Sequence, residues 1–457
     1  MRNIVSSLKK SVNNISKFEQ LRKKLIPTTI LTKCGFEKKK GISCSKILTE
    51  LLLLSFEKKS LYQKAEKEKK MSGNIKTYYR FLETAKYQWE KLLSEVSEKA
   101  VMEFSKLTPR ERHVLVIDDS LYERPNGKKV EMCSYQYDHV YSKMKRGFRF
   151  LAMGWSDGYS FIPMAFRLVS SNHTRLESDK FDKRTTEYRR RVNAVKKMSD
   201  SMIDLLQKVK SLGTQYVTCD SWFGTPKAIQ QVHDMGFDVI SIIRTNYLFF
   251  FRNGLYKAID VLKQLDQSNE WCDLSKAQNI NPNVRVVGSI VVRFRKEKAP
   301  VRLLFCTMKN SKVPEEITLL ACTDLSLSAV EILELYAKRW SIETFFKTCK
   351  EHLGFCNDTF SLSLDCLIAS KTICLLRYIL ITVNQRYEND PKTFSEMFYL
   401  YCDAIKDLCA IYVAWELLLA FYSDAKNRIS SSVEVFIDLF DAFLKSIYPL
   451  DTLWLLP

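Results

Sequence analysis

The chain has 457 residues, 46% of them apolar and 12% aromatic, which is enough to fill more than one buried core and excludes a mostly disordered polymer. With only 13 Gly and 11 Pro, collagen-like, linker-like and turn-rich all-β architectures are excluded too. Lys and Arg outnumber Asp and Glu by 71 to 52, a net charge of +19, so the protein is expected to face a polyanion, of which nucleic acid is the commonest.

Residues 1–110 read as helix throughout. Apolar positions recur at helical spacing (Leu48, Leu51, Leu52; Ile75, Tyr78, Tyr79, Leu82) between lysine-rich faces. Lysines cluster at 38–40, 58–59 and 67–70, as solvated surface or as phosphate contacts; the charge surplus of the whole chain favours the second. Ser72-Gly73-Asn74 offers caps for a helix carrying Lys76, Tyr78, Tyr79 and Arg80, an order that suits the second helix of a helix-turn-helix. The basic start, Met1 to Phe18, has no apolar run of the kind a secretory signal needs.

At His113 the texture changes. Val114-Leu115-Val116-Ile117 is a β-branched run ending in Asp118-Asp119-Ser120, as expected of a buried strand. Residues 148–155 and 159–169 read as strands joined at Asp157-Gly158 by a tight type I′ hairpin. A basic amphipathic helix is expected at 185–212, then a strand from Tyr216 ending at Asp220, a helix from Pro226 to Gly236, and a strand from Val239 to Ile243. That order makes an α/β core with a mixed sheet. Residues 246–325 add strand-like material, and one long helix follows at about 328–353. From 358 the chain is helical and aromatic-rich; Phe398, Tyr399, Tyr401, Trp415 and Phe421 suit a buried core or, less simply, a contact between two protomers.

Thirteen cysteines fall singly, with no C-x-x-C pair, and read as free core thiols in a reducing cytosol. The longest apolar runs are interrupted by Glu50, Arg377 and Glu416, and none reaches the roughly 18 residues a membrane span needs. No membrane partner is expected.

Asp118 and Asp220 each close a hydrophobic strand, and the carboxyl ends of strands are where α/β sheets build sites. Either alone suits a turn or a helix cap; together they would repel unless a cation lay between them. On the 328–353 helix, Tyr336, Arg339, Glu343, Lys347 and Lys350 share one face at helical spacing, as an exposed salt-paired face or as a third carboxylate beside phosphate-holding cations. Oxygen ligands without His or Cys point to Mg²⁺, with Mn²⁺ expected to substitute. Three carboxylates can hold two such ions for phosphodiester chemistry. Phosphate-loop, dinucleotide and serine-hydrolase motifs are lacking, and His139 and His352 read as local hydrogen-bonding residues.

Tyr336, Arg339, Glu343 and Lys350 reproduce Y-x(2)-R-x(3)-E-x(6)-K, downstream of two strand-end aspartates. In this the chain resembles the DDE transposases of the insertion-sequence-four family, from about residue 70 to 390. Ile117-Asp118-Asp119-Ser120 looks like the family's first motif and Cys219-Asp220-Ser221-Trp222-Phe223-Gly224 like its second. Tyr78-Tyr79-Arg80-Phe81-Leu82 before Trp89 is similar to the N-terminal region of some members.

The resemblance implies an RNase H-like catalytic core over 111–353 with a β-rich insertion at about 246–325. Flanking it would be a helical DNA-binding region at 1–110 and a helical C-terminal region at 354–457, a candidate for dimerisation. It implies Mg²⁺-dependent cutting at the terminal inverted repeats of a mobile element and joining of the 3′ ends to target DNA. The implied partners are double-stranded DNA and a second copy of the chain on paired ends, in a bacterial cytoplasm at the nucleoid. Asp118, Asp220 and Glu343 take the metal-ligand and catalytic roles, and Tyr336, Arg339 and Lys350 contact the DNA backbone. Trp271 is the one tryptophan of the insertion and stays without a role. Adjacent strand residues face opposite ways, so only one of Asp118 and Asp119 reaches the metal; the family pattern favours Asp118. A DNA-binding regulator that no longer cuts, and a general RNase H-type nuclease, are the competing readings.

Overall fold

A computed structural model describes residues 2–138, 141–171, 173–174, 176, 181–265, 280–308, 316–356, 361–388 and 390–410. Trp271, His139, Trp415 and Phe421 lie outside the described residues. Contacts divide the chain into two compact units, residues 1–92 with 348–457, and residues 93–347. Most of the expected N-terminal helical region and the expected C-terminal one thus fall in the same unit.

The first unit opens with α1 (Arg2–Leu25), α2 (Thr28–Lys33), α3 (Cys44–Leu53) and α4 (Ile75–Glu83), followed by the start of α5 (Trp89–Phe104). Asn74 caps α4, its side chain accepting from the Thr77 amide at 3.1 Å. The helix-turn-helix expectation fails on spacing. Residues 54–74, with a π-helical turn at Gln63–Lys67, separate α3 from α4, where that motif needs a turn of 3–4 residues. Tyr78 is fully buried and donates to Glu50, so α4 turns its tyrosine to the core while Lys76 and Arg80 stay exposed.

In the second unit the strands are β1 (Val114–Glu123), β2 (Ser134–Asp138), β3 (Lys143–Ser156), β4 (Phe161–Val169), β5 (Tyr216–Cys219) and β6 (Asp238–Ile243). Helices α6 (Thr186–Ala194), α7 (Met198–Val209) and α8 (Pro226–Asp234) lie between β4 and β6. Then come β7 (Leu248–Phe251), β8 (Gly254–Lys257), α9 (Ala258–Lys263), β9 (Val284–Phe294), β10 (Pro300–Met308) and β11 (Thr318–Cys322). Helices α10 (Ala329–Ala337) and α11 (Trp340–Glu351) follow, α11 running on into the first unit.

All these strands form one mixed sheet. β4 pairs antiparallel with β3, β3 antiparallel with β1, β1 parallel with β5, and β5 parallel with β6. The β-rich stretch joins the same sheet: β11 pairs antiparallel with β6, and the sheet continues through β10, β9, β7 and β8. β1 presents Val114 to Ile117 fully buried, and β4 is buried along its whole length.

Three expected elements differ in detail. The hairpin between β3 and β4 has a loop of residues 157–160, not a two-residue turn; Asp157 accepts from the amides of Tyr159 (2.9 Å) and Ser160 (2.8 Å), and Gly158 takes the left-handed φ of +94°. The 185–212 helix is two helices, and its basic residues are partly internal: Arg191 is buried against Glu131 at 2.6 Å. The 328–353 helix breaks at Lys338-Arg339.

The chain returns to the first unit in α12 (Leu364–Tyr387) and a helical stretch at 394–410. Contrary to expectation, α12 is long and apolar enough to cross a membrane; the whole of its most apolar window is nonetheless buried in the fold. Its charges explain why. Arg377, 1% exposed, donates to the carbonyls of Leu51, Leu52 and Leu353, and Lys371, also 1% exposed, donates to that of Phe355. The Arg377 guanidinium thereby serves carbonyls in the last turn of α3 that have no partner within their helix. None of the twelve described cysteines forms a disulfide, and nine of them are buried.

Candidate active site

The site begins with strand register. β1 and β5 run parallel with Ile117 opposite Cys219, so the next residues, Asp118 and Asp220, stand side by side where that pairing ends. β1 itself does not stop there: it continues to Glu123 against β3 alone, which corrects the expectation of a strand closing at Asp118. Asp220 begins a tight turn, its Oδ1 accepting from the amides of Trp222 (3.0 Å) and Phe223 (3.4 Å). Gly224 closes the turn, its amide donating to the Asp220 carbonyl at 2.9 Å. A Cβ at Gly224 would run into the Ser241 hydroxyl and the Ile242 carbonyl of β6, so the turn that carries Asp220 needs glycine here.

Asp118 and Asp119 part as strand neighbours must. Asp119 is 5% exposed and forms an ion pair with Arg149 of β3. Asp118 looks the other way, its Oδ2 accepting from Arg339 Nη1 at 3.2 Å.

Glu343 arrives on the first turn of α11. That helix is anchored by Phe345 and Phe346, whose rings lie 4.9 Å from Phe161 and 6.2 Å from Phe150, on β4 and β3. Ser328 and Glu331 form a capping box that starts α10. At the break between the two helices the backbone tightens to three-residue turns, the Arg339 amide donating to the Tyr336 carbonyl at 2.9 Å and the Lys338 and Arg339 carbonyls accepting from Ser341 and Ile342. Lys338 donates to the Arg112 carbonyl, and burial lowers its pKa to about 8. Arg339 reaches Asp118 with Nη1 and Glu343 Oε1 with Nη2, the latter at 2.5 Å.

One guanidinium therefore bridges the first and third acids. Its Cζ also lies 5.8 Å from the centre of the Tyr336 ring, whose buried hydroxyl has its pKa raised by desolvation.

Burial, then the neighbouring Asp220 carboxylate, raises the Asp118 pKa to about 7. Two crowded carboxylates and a third joined to them through Arg339 form an all-oxygen donor set of the kind that takes hard divalent cations, and the charge crowding is what such a cation relieves. The fit is in chemistry and neighbourhood, not in a finished cage: among the described residues no three His, Cys, Asp or Glu side chains are gathered closely enough to hold a metal ion.

Lys350 is placed elsewhere. It lies in the first unit and lines a groove of about 600 Å³ with Lys58, Lys59, Lys67, Tyr62 and Tyr399. The break at Lys338-Arg339 means that Tyr336 and Lys350 do not share one continuous helical face. Arg149 and Lys338 were not singled out from the sequence and carry no local signal, whereas the Gly224 turn falls within the Cys219–Gly224 motif that was.

Residues 34–255 match the family model of the DDE superfamily endonuclease, and residues 186–362 match that of the transposase DDE domain. The matches support a DDE transposase. The first spans Asp118 and Asp220, and the second spans Asp220 and Glu343. A DDE domain implies an RNase H-like fold, and the strand order β4-β3-β1-β5-β6, antiparallel then parallel, is the mixed sheet that this fold requires. No curated protein matches the chain.

Proposed function

We propose that this chain is a transposase of the insertion-sequence-four type, carrying the Y-R-E-K signature as Tyr336, Arg339, Glu343 and Lys350. It cuts DNA at the terminal inverted repeats of an insertion sequence and joins the freed 3′ ends to target DNA, working as a homodimer on paired ends. The observation that carries the reading is the side-by-side placement of Asp118 and Asp220, with Arg339 joining Asp118 to Glu343. Asp118, Asp220 and Glu343 would hold Mg²⁺ or Mn²⁺, which supply Lewis-acid activation of the attacking and leaving oxygens.

The chain's own residues do the rest. Arg339, held over Tyr336, carries a positive charge at the edge of the site; on DNA binding its guanidinium suits a bidentate grip on the backbone phosphate beside the cut. Lys350 and its lysine neighbours hold backbone further along, within the helical unit that we assign to DNA binding.

The test is cleavage of a duplex bearing the element's own inverted repeats, with Mg²⁺ present. The full chain should release a 3′-hydroxyl, and Asp118→Ala, Asp220→Ala and Glu343→Ala should each lower the rate by at least about a hundredfold while still binding the duplex. Wild-type rates in these variants would falsify the assignment. Binding of the repeats by the native chain without any cutting would instead identify a DNA-binding regulator.

A further inference from the structure

Two neighbouring basic side chains leave the break between α10 and α11 for different targets. Arg339 reaches Asp118 and Glu343, while Lys338 donates to the carbonyl of Arg112, just ahead of β1. From His113 to Asp118 the extended chain covers about 16 Å, so the break is pinned to β1 at two well-separated points. The pin at Asp118 belongs to the acid site already described; the pin at Arg112 lies outside it.

Lys338 sits in a built surround. Its stem lies along the β3–β4 loop, where a Cβ on Gly158 would stand 3.4 Å from its Cε, and the glycine leaves that room. The ammonium is faced by Asp157 of the loop, by Arg112 and His113 at the entrance of β1, and by Glu334 of α10. Asp157, 2% exposed, accepts from Thr108 Oγ1 at 3.3 Å, and Thr108 meets His113 Nε2 at 2.9 Å, which ties the loop to the same entrance. Burial outweighs Asp157 and lowers the Lys338 pKa to about 8, a penalty that a lysine turned to solvent would not meet.

The main chain of the same residue starts the helix that carries the third acid. The Lys338 carbonyl accepts from the Ser341 amide at 3.1 Å and from the Ser341 hydroxyl at 2.7 Å, two residues ahead of Glu343. α11 therefore takes its starting point from a residue whose side chain is fastened at the entrance of β1, the strand that holds Asp118. We propose that Lys338 is a positioning residue of the acid site: pinned ahead of β1, it fixes where α11 begins and so holds Arg339 and Glu343 in register with Asp118. It touches neither the acids nor a substrate. This rests on the reading of the chain as a metal-dependent DNA-cutting enzyme, and it adds a residue outside that enzyme's signature.

Lys338→Met keeps the stem and removes the charge and the donor. The full-length native chain and the variant are titrated with Mn²⁺ alone, the free ion being read by electron paramagnetic resonance, and then compared in cutting a repeat-bearing duplex with Mg²⁺. The variant should bind Mn²⁺ about tenfold more weakly and cut about a hundredfold more slowly at saturating duplex, with duplex affinity unchanged. Lys338→Arg returns a charge and a donor and should recover most of both losses. Its rate relative to the native chain should also rise from about pH 7 to about pH 9, because Lys338 loses its charge near pH 8 and an arginine does not. Native Mn²⁺ affinity and cutting in Lys338→Met would overturn the proposal and leave the transposase reading intact. Equal losses in the Met and Arg variants, with lowered melting temperatures, would overturn it too, since the effect would then lie in the fold. If Mn²⁺ affinity falls and recovers as expected but the native chain never cuts, the positioning role stands and the transposase reading falls.

Discussion

Arg339 holds Asp118 with one nitrogen and Glu343 with another, so in the free chain a fixed cation already answers part of the repulsion among the acids. Burial first, and the Asp220 carboxylate after it, still hold the Asp118 pKa near 7 against an ordinary 3.8. The sign of the consequence follows. An acid whose folded pKa is raised stabilises the fold most when protonated, so the metal-free chain should lose stability as pH rises from about 4 to about 7 and then level off. Asp118→Asn, which cannot ionise, should escape that loss, and Mg²⁺ added at about pH 8 should restore stability to the native chain but not to the variant. Thermal melting against pH would show it; parallel curves for the two proteins would dismiss it. Much at this scale was legible. The spacing of Tyr336, Arg339 and Glu343 and the β-branched run before Asp118 both led to the site. The partner of Asp119 was not legible, because Arg149 lies on another strand and only the β1–β3 register brings the two together.

Among the elements, boundaries were misread wherever a distant group replaced a local signal. The sequence from Ala337 to Glu343 has no Gly or Pro to end a helix, yet the helix breaks, because Lys338 and Arg339 are drawn to the Arg112 carbonyl and to Asp118. The 157–160 loop was read as a two-residue turn because Asp-Gly dominates the pattern, while the Asp157 carboxylate in fact organises the amides of two following residues. α12 is the clearest case. Arg377 reads as an interruption in an apolar run, but it and Lys371 are buried donors to the carbonyls of Leu51, Leu52, Leu353 and Phe355. Arg377→Met keeps the bulk and leaves three enclosed carbonyls without a donor, so it should cost about 3 kcal/mol of stability. The midpoint of denaturant unfolding at unchanged slope measures this, and a loss under about 0.5 kcal/mol would show that water reaches those carbonyls.

Over the whole molecule, the charge surplus overcounts the basic surface, since Arg190, Arg191 and Arg377 are spent inside. What remains outside is concentrated. Lys58, Lys59, Lys67 and Lys350 meet around one groove of the helical unit although nearly 300 positions separate the first from the last. On the proposed reading, such a cluster would hold phosphates without reading bases. Lys58→Ala and Lys350→Ala should therefore weaken binding to every duplex alike, and each should flatten the salt dependence of log affinity by about 0.9 per lost phosphate contact. Gel-shift titrations at several salt concentrations read both quantities; loss of affinity for one sequence only would assign the groove a different role. The α/β class and the sheet's central strands were readable from hydrophobic runs. That the insertion extends the same sheet, and that both chain ends build one unit, depends on pairings hundreds of residues apart, for which a single sequence has no local mark.

The guanidinium that seals α3 sits in residue 377, while the carbonyls it serves belong to residues 51 and 52. During synthesis those oxygens leave the ribosome more than three hundred residues ahead of their only charged donor among the described contacts. Every strand of the sheet emerges in between. The nascent chain can thus complete the acid-bearing unit while the helical one is still open, and α12, translated after the whole sheet, is the helix that locks α3.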